Sequence, residues 1–107
     1  MLYTIDEIAE RIRPVAKRYG LRAVYLFGSY ASGTATADSD VDLLVDTEGT
    51  EIRSLLQLSA LYCELEEALG KPVDLVPLRS LEQPSRLASE RHFREAILQE
   101  RVSLYAA

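Results

Sequence analysis

Apolar positions recur at helical spacing near the start of the chain. Between residues 5 and 19 they fall three or four positions apart, which places them on one face of an amphipathic helix. Thr4 followed by Glu7 has the form of an N-terminal capping box, and Gly20 stands where helices typically stop. Pro14 departs from this pattern, because an interior proline removes a backbone hydrogen bond and clashes with the preceding turn. The pattern therefore predicts one helix with a kink or break near Pro14.

Shorter apolar runs predict three strands. Residues 23–27 are rich in aromatic and branched side chains and end at Gly28. Residues 41–46 form an apolar run that is interrupted by acids, and a third run at residues 73–76 ends at Pro77. Each run has the length of a strand and is bounded by residues that interrupt regular structure.

The remaining apolar positions predict two more helices. One covers residues 52–69 and is closed by Gly70 and Pro72, and the other covers residues 85–100. In chain order, the elements predict an α+β (mixed α/β) fold, in which helices pack against a small mixed β-sheet.

Composition limits the kinds of partner. The 107 residues carry 12 basic and 17 acidic side chains, a net charge of −5. Nucleic-acid binding depends on Lys and Arg that neutralise phosphates, so we expect no direct binding of nucleic acid. No apolar run approaches the ~20 residues of a membrane helix, and the N-terminus does not resemble a signal peptide. We expect a single soluble domain over residues 1–107, without membrane contact, in the cytoplasm.

Two side chains that often carry chemistry have simpler explanations here. Cys63 is the only cysteine, so it forms no internal disulfide, which fits a reducing cytoplasm. It falls among the apolar positions of its predicted helix, which favours a packed core thiol over a nucleophile. His92 is the only histidine and has no cysteine nearby in the sequence, which favours a surface or partner contact over a zinc ligand.

Three aspartates lie within or beside predicted strands. Asp40 and Asp42 flank Val41, so on a strand both carboxylates project from the same face. Two like charges side by side oppose each other's ionisation unless a cation lies between them, and an oxygen-binding ion such as Mg²⁺ removes this conflict. Asp74 belongs to the next strand and can line up beside them. The alternative is that all three are solvated acids at strand ends.

A resemblance to a known family rests on these residues. Gly28-Ser29, followed after ten residues by Asp40 and Asp42, resembles the signature of nucleotidyltransferases related to DNA polymerase beta. The sequence over residues 26–45 is similar to the minimal nucleotidyltransferase (MNT) antitoxins, the partners of HEPN-domain ribonuclease toxins. The resemblance implies a polymerase-beta-like nucleotidyltransferase fold, with residues 102–105 as an edge strand.

The same resemblance implies roles for the site residues. Asp40 and Asp42 would hold two Mg²⁺ ions, with Mn²⁺ as an alternative, while Asp74 would bind only the acceptor-side ion and act as a base. Gly28 and Ser29 would bind the phosphates of ATP, although a plain strand-to-helix turn also explains them. Ser39 is either a further nucleotide contact or a turn residue.

One position departs from the family pattern. Relatives commonly carry arginine at the position of Ser32. The guanidinium group of arginine binds phosphate better than a serine hydroxyl does, because it donates two parallel hydrogen bonds. Arg22, Lys71 and Arg79 are the candidates for a replacement cation. Tyr30, beside the phosphate turn, is the tyrosine that could touch the nucleotide.

The function that the resemblance implies is transfer of AMP from ATP to a hydroxyl of a cognate HEPN toxin. The acceptor would be a tyrosine near the ribonuclease site of that toxin, and the modification would neutralise it. Two alternatives stay open: a non-catalytic antitoxin that acts by complex formation, and a transferase that modifies a small-molecule hydroxyl. Assembly of the chain with itself or with the toxin also stays open.

Overall fold

The computed structural model describes residues 2–78, 95 and 97–107. The helices and strands are α1 (Ile5–Tyr19), β1 (Ala23–Phe27), α2 (Gly28–Ser32), β2 (Val41–Asp46), α3 (Leu55–Leu69), β3 (Val73–Pro77) and β4 (Val102–Ala106). Residues 97–100 are also helical. Most of the helix predicted over residues 85–100 lies outside the described residues, as do His92 and Arg79.

The first helix has the predicted bounds and cap. Thr4 Oγ1 accepts a hydrogen bond from the backbone N–H of Glu7, and Glu7 Oε1 accepts one from the backbone N–H of Thr4. The helix continues through Pro14 without interruption, so the predicted break is wrong. Ile12 and Val15 on either side of the proline are buried in the core. Their packing holds the helix together where a backbone hydrogen bond is missing.

The helix α3 begins later than predicted. Ser54 is its N-cap, and its hydroxyl accepts from the backbone N–H of Gln57, while Gln57 Oε1 accepts from the backbone N–H of Ser54. This reciprocal capping box fixes the start at Leu55 instead of residue 52. Ile52 is buried, but it lies in the loop before the helix.

The buried face of α3 is narrower than its apolar sequence predicts. Leu61, Leu65 and Leu69 are completely buried, whereas Leu55 and Leu56 are 80% and 81% exposed. Cys63 is also exposed, so the prediction of a packed core thiol is wrong. The helix is apolar on most of its surface, and sequence periodicity alone does not show which side meets the sheet.

The four described strands form one mixed sheet in the order β3-β2-β1-β4. The strand β1 pairs antiparallel with β2 and β4, and β2 pairs parallel with β3. The parallel step from β2 to β3 passes through α3, as a crossover connection requires. The sheet confirms the predicted fold class, with β4 at one edge. In the part of the chain that the structure describes, no helix has the length and apolar character needed to cross a membrane.

The two faces of the sheet differ in character. The main core lies against α1 and α3, and alternate residues of β2 are completely buried there: Val41, Leu43 and Val45. Leu44 points the other way and packs in a small cluster with Phe27 and Ile97. Because side chains alternate along a strand, Asp42 lies on the same side as Leu44. The face opposite the main core therefore carries the acidic side chains of the candidate site.

Candidate active site

The sheet brings two of the three predicted carboxylates together. Asp42 on the central strand β2 is in register with Asp74 on β3 and, on its other side, with Phe27 at the end of β1. Neighbouring strands lie ~4.8 Å apart, and residues in register direct their side chains to the same face. Asp40 precedes β2 by one residue and is exposed.

The environment of Asp42 raises its pKa to about 6 from the usual 3.8. Partial burial of the carboxyl group is the largest cause, and the charges of Asp74 and Asp40 add to it. Both causes disfavour the ionised form of Asp42. A divalent cation would reverse this effect, since it replaces the repulsion between carboxylates by attraction.

The donor set fits a hard metal ion. Asp40, Asp42 and Asp74 offer only oxygen atoms, which are the ligands that Mg²⁺ and Mn²⁺ prefer. Among the described residues, no three acidic, histidine or cysteine side chains converge closely enough to enclose an ion. The arrangement is thus an in-register pair with a third carboxylate beside it, and repulsion between like charges opposes closer approach.

Gly28 supports the position of Asp42 directly. It has a φ of +72° and begins the turn from β1 into α2. A Cβ atom at this position would overlap Asp42 Oδ2 and would lie 2.9 Å from its Cγ. The backbone of the Gly28-Ser29 turn and the central carboxylate are therefore in van der Waals contact, a contact that only glycine permits.

Ser29 presents a hydroxyl group beside this contact. Its side chain is half-buried, and its hydroxyl makes no hydrogen bond to any residue that the structure describes. Its carbonyl accepts bonds from Ser32 Oγ and from the backbone N–H groups of Gly33 and Thr34. The turn is held by its backbone, which leaves the Ser29 hydroxyl available to a ligand.

Ser39 and Ser32 have local roles in the structure. Ser39 Oγ accepts from the backbone N–H of Thr36 at 2.8 Å, and the backbone N–H of Ser39 donates to the carbonyl of Thr36. These bonds close a turn in the loop before β2. Ser32 Oγ lies 2.9 Å from Thr34 Oγ1, so a pair of hydroxyl groups stands at the position where the family resemblance leads us to expect arginine.

The structure separates the candidate cations. Arg22 precedes β1 and pairs with Glu48 at 2.8 Å, at the end of the strand opposite to Gly28. Five strand residues span roughly 17 Å, so Arg22 does not belong to the phosphate turn. Arg79 lies outside the described residues. Lys71 lies on the same side as the turn and donates to Tyr30 Oη at 2.6 Å.

Tyr30 does not have the position expected for a nucleotide contact. Its side chain is 5% exposed and belongs to the main core. The contact between Tyr30 and Lys71 is not visible in the sequence, because the two residues are 41 positions apart. The contact between Gly28 and Asp42 is not visible there either, and a glycine at the end of a strand is the only local feature that points to it.

Comparisons with known proteins identify related sequences and folds. Residues 7–104 match the nucleotidyltransferase domain family. The chain is 44% identical over 84 residues to the protein adenylyltransferase MntA of Thermococcus cleftensis, which covers 75% of this chain and 83% of that protein. A crystal structure of a toxin-antitoxin with AMP-PNP has a TM-score of 0.70 at 28% identity and covers 92% of this chain and 73% of that chain.

A further solved structure supports the fold alone. It contains a tri-AMPylated HEPN toxin of Shewanella oneidensis in complex with an MNT antitoxin. The TM-score is 0.66 at 24% identity, over 97% of this chain and 74% of that chain.

The family match covers most of the chain. The chain therefore belongs to the nucleotidyltransferase domain family. Within that family it is similar to the protein adenylyltransferase MntA and to a chain of the toxin-antitoxin structure with AMP-PNP.

Proposed function

We propose that the protein transfers AMP from ATP to a tyrosine hydroxyl of a cognate HEPN toxin, and that this modification neutralises the toxin. One observation carries the proposal: Asp42 lies in register with Asp74 and in contact with Gly28. The acidic pair is thereby joined to the turn that carries Ser29, whose hydroxyl makes no hydrogen bond among the described residues. A nucleotide whose phosphates lie at this turn would have its reacting phosphorus beside the carboxylates.

The nucleotide side of the site consists of the Gly28-Ser29 turn. The absence of a side chain at Gly28 lets phosphate oxygens approach the backbone, and the Ser29 hydroxyl donates to them. Ser39 stays a proposed contact of the same nucleotide, although its hydroxyl already closes the loop turn. Asp40 and Asp42 would hold Mg²⁺ ions, which supply charge neutralisation of the phosphates when bound.

The acceptor side of the site is at Asp74. In the proposed reaction, the acceptor oxygen bonds to the α-phosphorus while the bond from that phosphorus to pyrophosphate breaks. The acceptor proton leaves toward Asp74, which is exposed and lies at the edge of the sheet. An edge position leaves room for a protein-borne hydroxyl, which fits a partner protein better than a small molecule held in a closed pocket.

The names of the relatives support this choice of acceptor. The matched MntA is a protein adenylyltransferase, and the structural neighbour with AMP-PNP is a toxin-antitoxin. Ser32 favours a second candidate function, a non-catalytic antitoxin, because a hydroxyl pair stands where the family resemblance implies a phosphate-binding arginine.

The intact mass of the partner after incubation distinguishes these functions. The proposed HEPN toxin partner is mixed with the protein, ATP and Mg²⁺. A gain of about 329 Da per transferred group would identify adenylylation. The matched control is Asp40→Asn/Asp42→Asn, which keeps the side-chain shape and removes the charges. A stable complex without any mass gain would refute the transferase and favour the non-catalytic antitoxin.

A further inference from the structure

Lys71 lies in the three-residue connection between α3 and β3, close to both halves of the candidate site. Its Nζ donates to Tyr30 Oη at 2.6 Å and to the carbonyl of Ala37 at 3.2 Å. The same Nζ lies 5.0 Å from the centroid of the Tyr30 ring. Lys71 is half-buried and Tyr30 is 5% exposed, so these bonds to a charged donor are partly shielded from water.

The two acceptors belong to the segments that carry the functional groups. Tyr30 directly follows Ser29 on α2, and Ala37 lies three residues before Asp40. A single ammonium group therefore connects the phosphate turn with the loop that leads into the carboxylates. The loop has no regular secondary structure over residues 34–40, and among the described residues its other hydrogen bonds are local ones, from Thr34 to the preceding turn and between Thr36 and Ser39.

The neighbours of Lys71 join the same connection to the central strand. The carbonyl of Pro72 accepts from the backbone N–H of Val41, which lies between the first two carboxylates, at 3.1 Å. The backbone N–H of Val73 donates to Glu66 Oε2 at 3.1 Å, which anchors the start of β3 to α3. These bonds hold the β3 end of the connection, and at its α3 end the backbone N–H of Gly70 donates to the carbonyl of Glu66.

We propose that Lys71 is a positioning residue that fixes the phosphate turn relative to the carboxylates. The inference rests on the proposed AMP transfer for its kinetic readout, but its structural basis is independent of that function. The ammonium group directs two of its three N–H groups to Tyr30 and Ala37, and its role is to hold these segments and not to bind the nucleotide. It acts through the loop and through α2.

Removal of the ammonium group should affect turnover more than ATP binding. Lys71→Met keeps the apolar stem and loses the hydrogen bonds to Tyr30 Oη and to the carbonyl of Ala37. We expect kcat for AMP transfer to fall about 10-fold and KM for ATP to change less than about 3-fold, because alignment of the two halves matters most in the transition state. Lys71→Arg keeps a donor and should recover most of the lost kcat. Lys17→Met, at the chain's other lysine, is the matched control on the exposed surface of α1.

Two further measurements distinguish the positioning role of Lys71, called the clamp below, from a general contribution to stability. In the free protein, amide hydrogen exchange over residues 34–40 should accelerate about 10-fold in Lys71→Met and stay unchanged in Lys17→Met. Tyr30→Phe removes the acceptor of the same bond. The double variant Lys71→Met/Tyr30→Phe should therefore be no slower than Lys71→Met alone.

Opposite results would overturn the proposal. A large rise in KM for ATP with unchanged kcat would make Lys71 a direct phosphate ligand. Unchanged exchange in the loop, or a Lys71→Met variant that behaves like Lys17→Met, would remove the clamp altogether. If the wild-type protein transfers no AMP, the proposed function fails, while hydrogen exchange still decides whether Lys71 holds the loop.

Discussion

A methyl group at Gly28 should displace the central carboxylate of the site. The Cβ of Gly28→Ala would lie 2.9 Å from Asp42 Cγ and 3.3 Å from Asp42 Cβ, and it would overlap Oδ2. Carbon atoms in contact lie roughly 3.5–4.0 Å apart, so the Asp42 side chain has to rotate or the turn has to shift. Either movement separates Asp42 from Asp74 or from Ser29.

Two separate effects lower the free energy of unfolding of Gly28→Ala. Gly28 has a φ of +72°, so alanine there carries a left-handed backbone penalty of about 1 kcal/mol. The collision adds about 1–3 kcal/mol, as overpacking does in other tightly packed sites. For activity, a displacement of about 1 Å in a reacting group costs on the order of 100-fold in rate.

Gly33 provides a matched control for the backbone penalty. Its φ is +81°, close to that of Gly28, and a Cβ there would meet no heavy atom of the described residues within 4 Å. Gly33→Ala should therefore lose only about 1 kcal/mol of unfolding free energy and keep most of its activity. The assays are urea denaturation and AMP transfer to the toxin. Equal losses of stability and rate in the two variants would refute a specific contact between Gly28 and Asp42.

The raised pKa of Asp42, about 6, means that the folded protein binds this proton more tightly than the unfolded chain does. Without divalent ions, this contribution to the free energy of unfolding is complete below the unfolded pKa and is lost as pH rises from about 4 to about 6. The free energy of unfolding of Asp42→Asn, relative to that of wild type, should therefore grow by about 1 kcal/mol across that window, a value reduced for the solvent exposure of the carboxyl group. Urea denaturation in EDTA measures it, and an advantage that shrinks with rising pH would contradict the reasoning. Tyr3→Phe removes a buried hydroxyl that donates to the carbonyl of Leu69 at 2.5 Å, and it should lower the free energy of unfolding by about 1 kcal/mol. Thermal or urea denaturation measures this change, and unchanged stability would show that the hydrogen bond makes no net contribution to the free energy of unfolding. Ser54→Ala removes the cap of α3 and should cost about 1 kcal/mol, whereas Ser59→Ala on the exposed face of that helix should not, and similar values for the two would count against the capping box.

The sequence predicts those features that depend on neighbouring residues. The capping box at Thr4 and the strand over residues 23–27 need only local patterns, and the structure has both as expected. The sequence also predicts that Asp42 lies beside Asp74, because each aspartate interrupts an apolar strand at a matching position. The spacing typical of the family then predicts that Gly28 belongs to the same site.

Other features depend on distant contacts, and local patterns do not contain them. Pro14 does not break its helix, because packing on both sides outweighs one missing hydrogen bond. Cys63 and Leu56 lie at apolar positions of α3, but the sheet covers a different side of that helix. Lys71 donates hydrogen bonds to Ala37 and Tyr30, which precede it by 34 and 41 positions, and only the folded chain brings these residues together.

The two faces of the sheet separate the stability of the fold from its chemistry. The main core is built from one set of alternating residues on β2, and Asp42 belongs to the other set. Substitutions that remove the carboxylates therefore leave the packing of α1 and α3 against the sheet unchanged. In evolutionary terms, an inactive but folded descendant is only one or two substitutions away. Such a lineage could lose its enzymatic activity and still keep whatever partner its outer surface recognises.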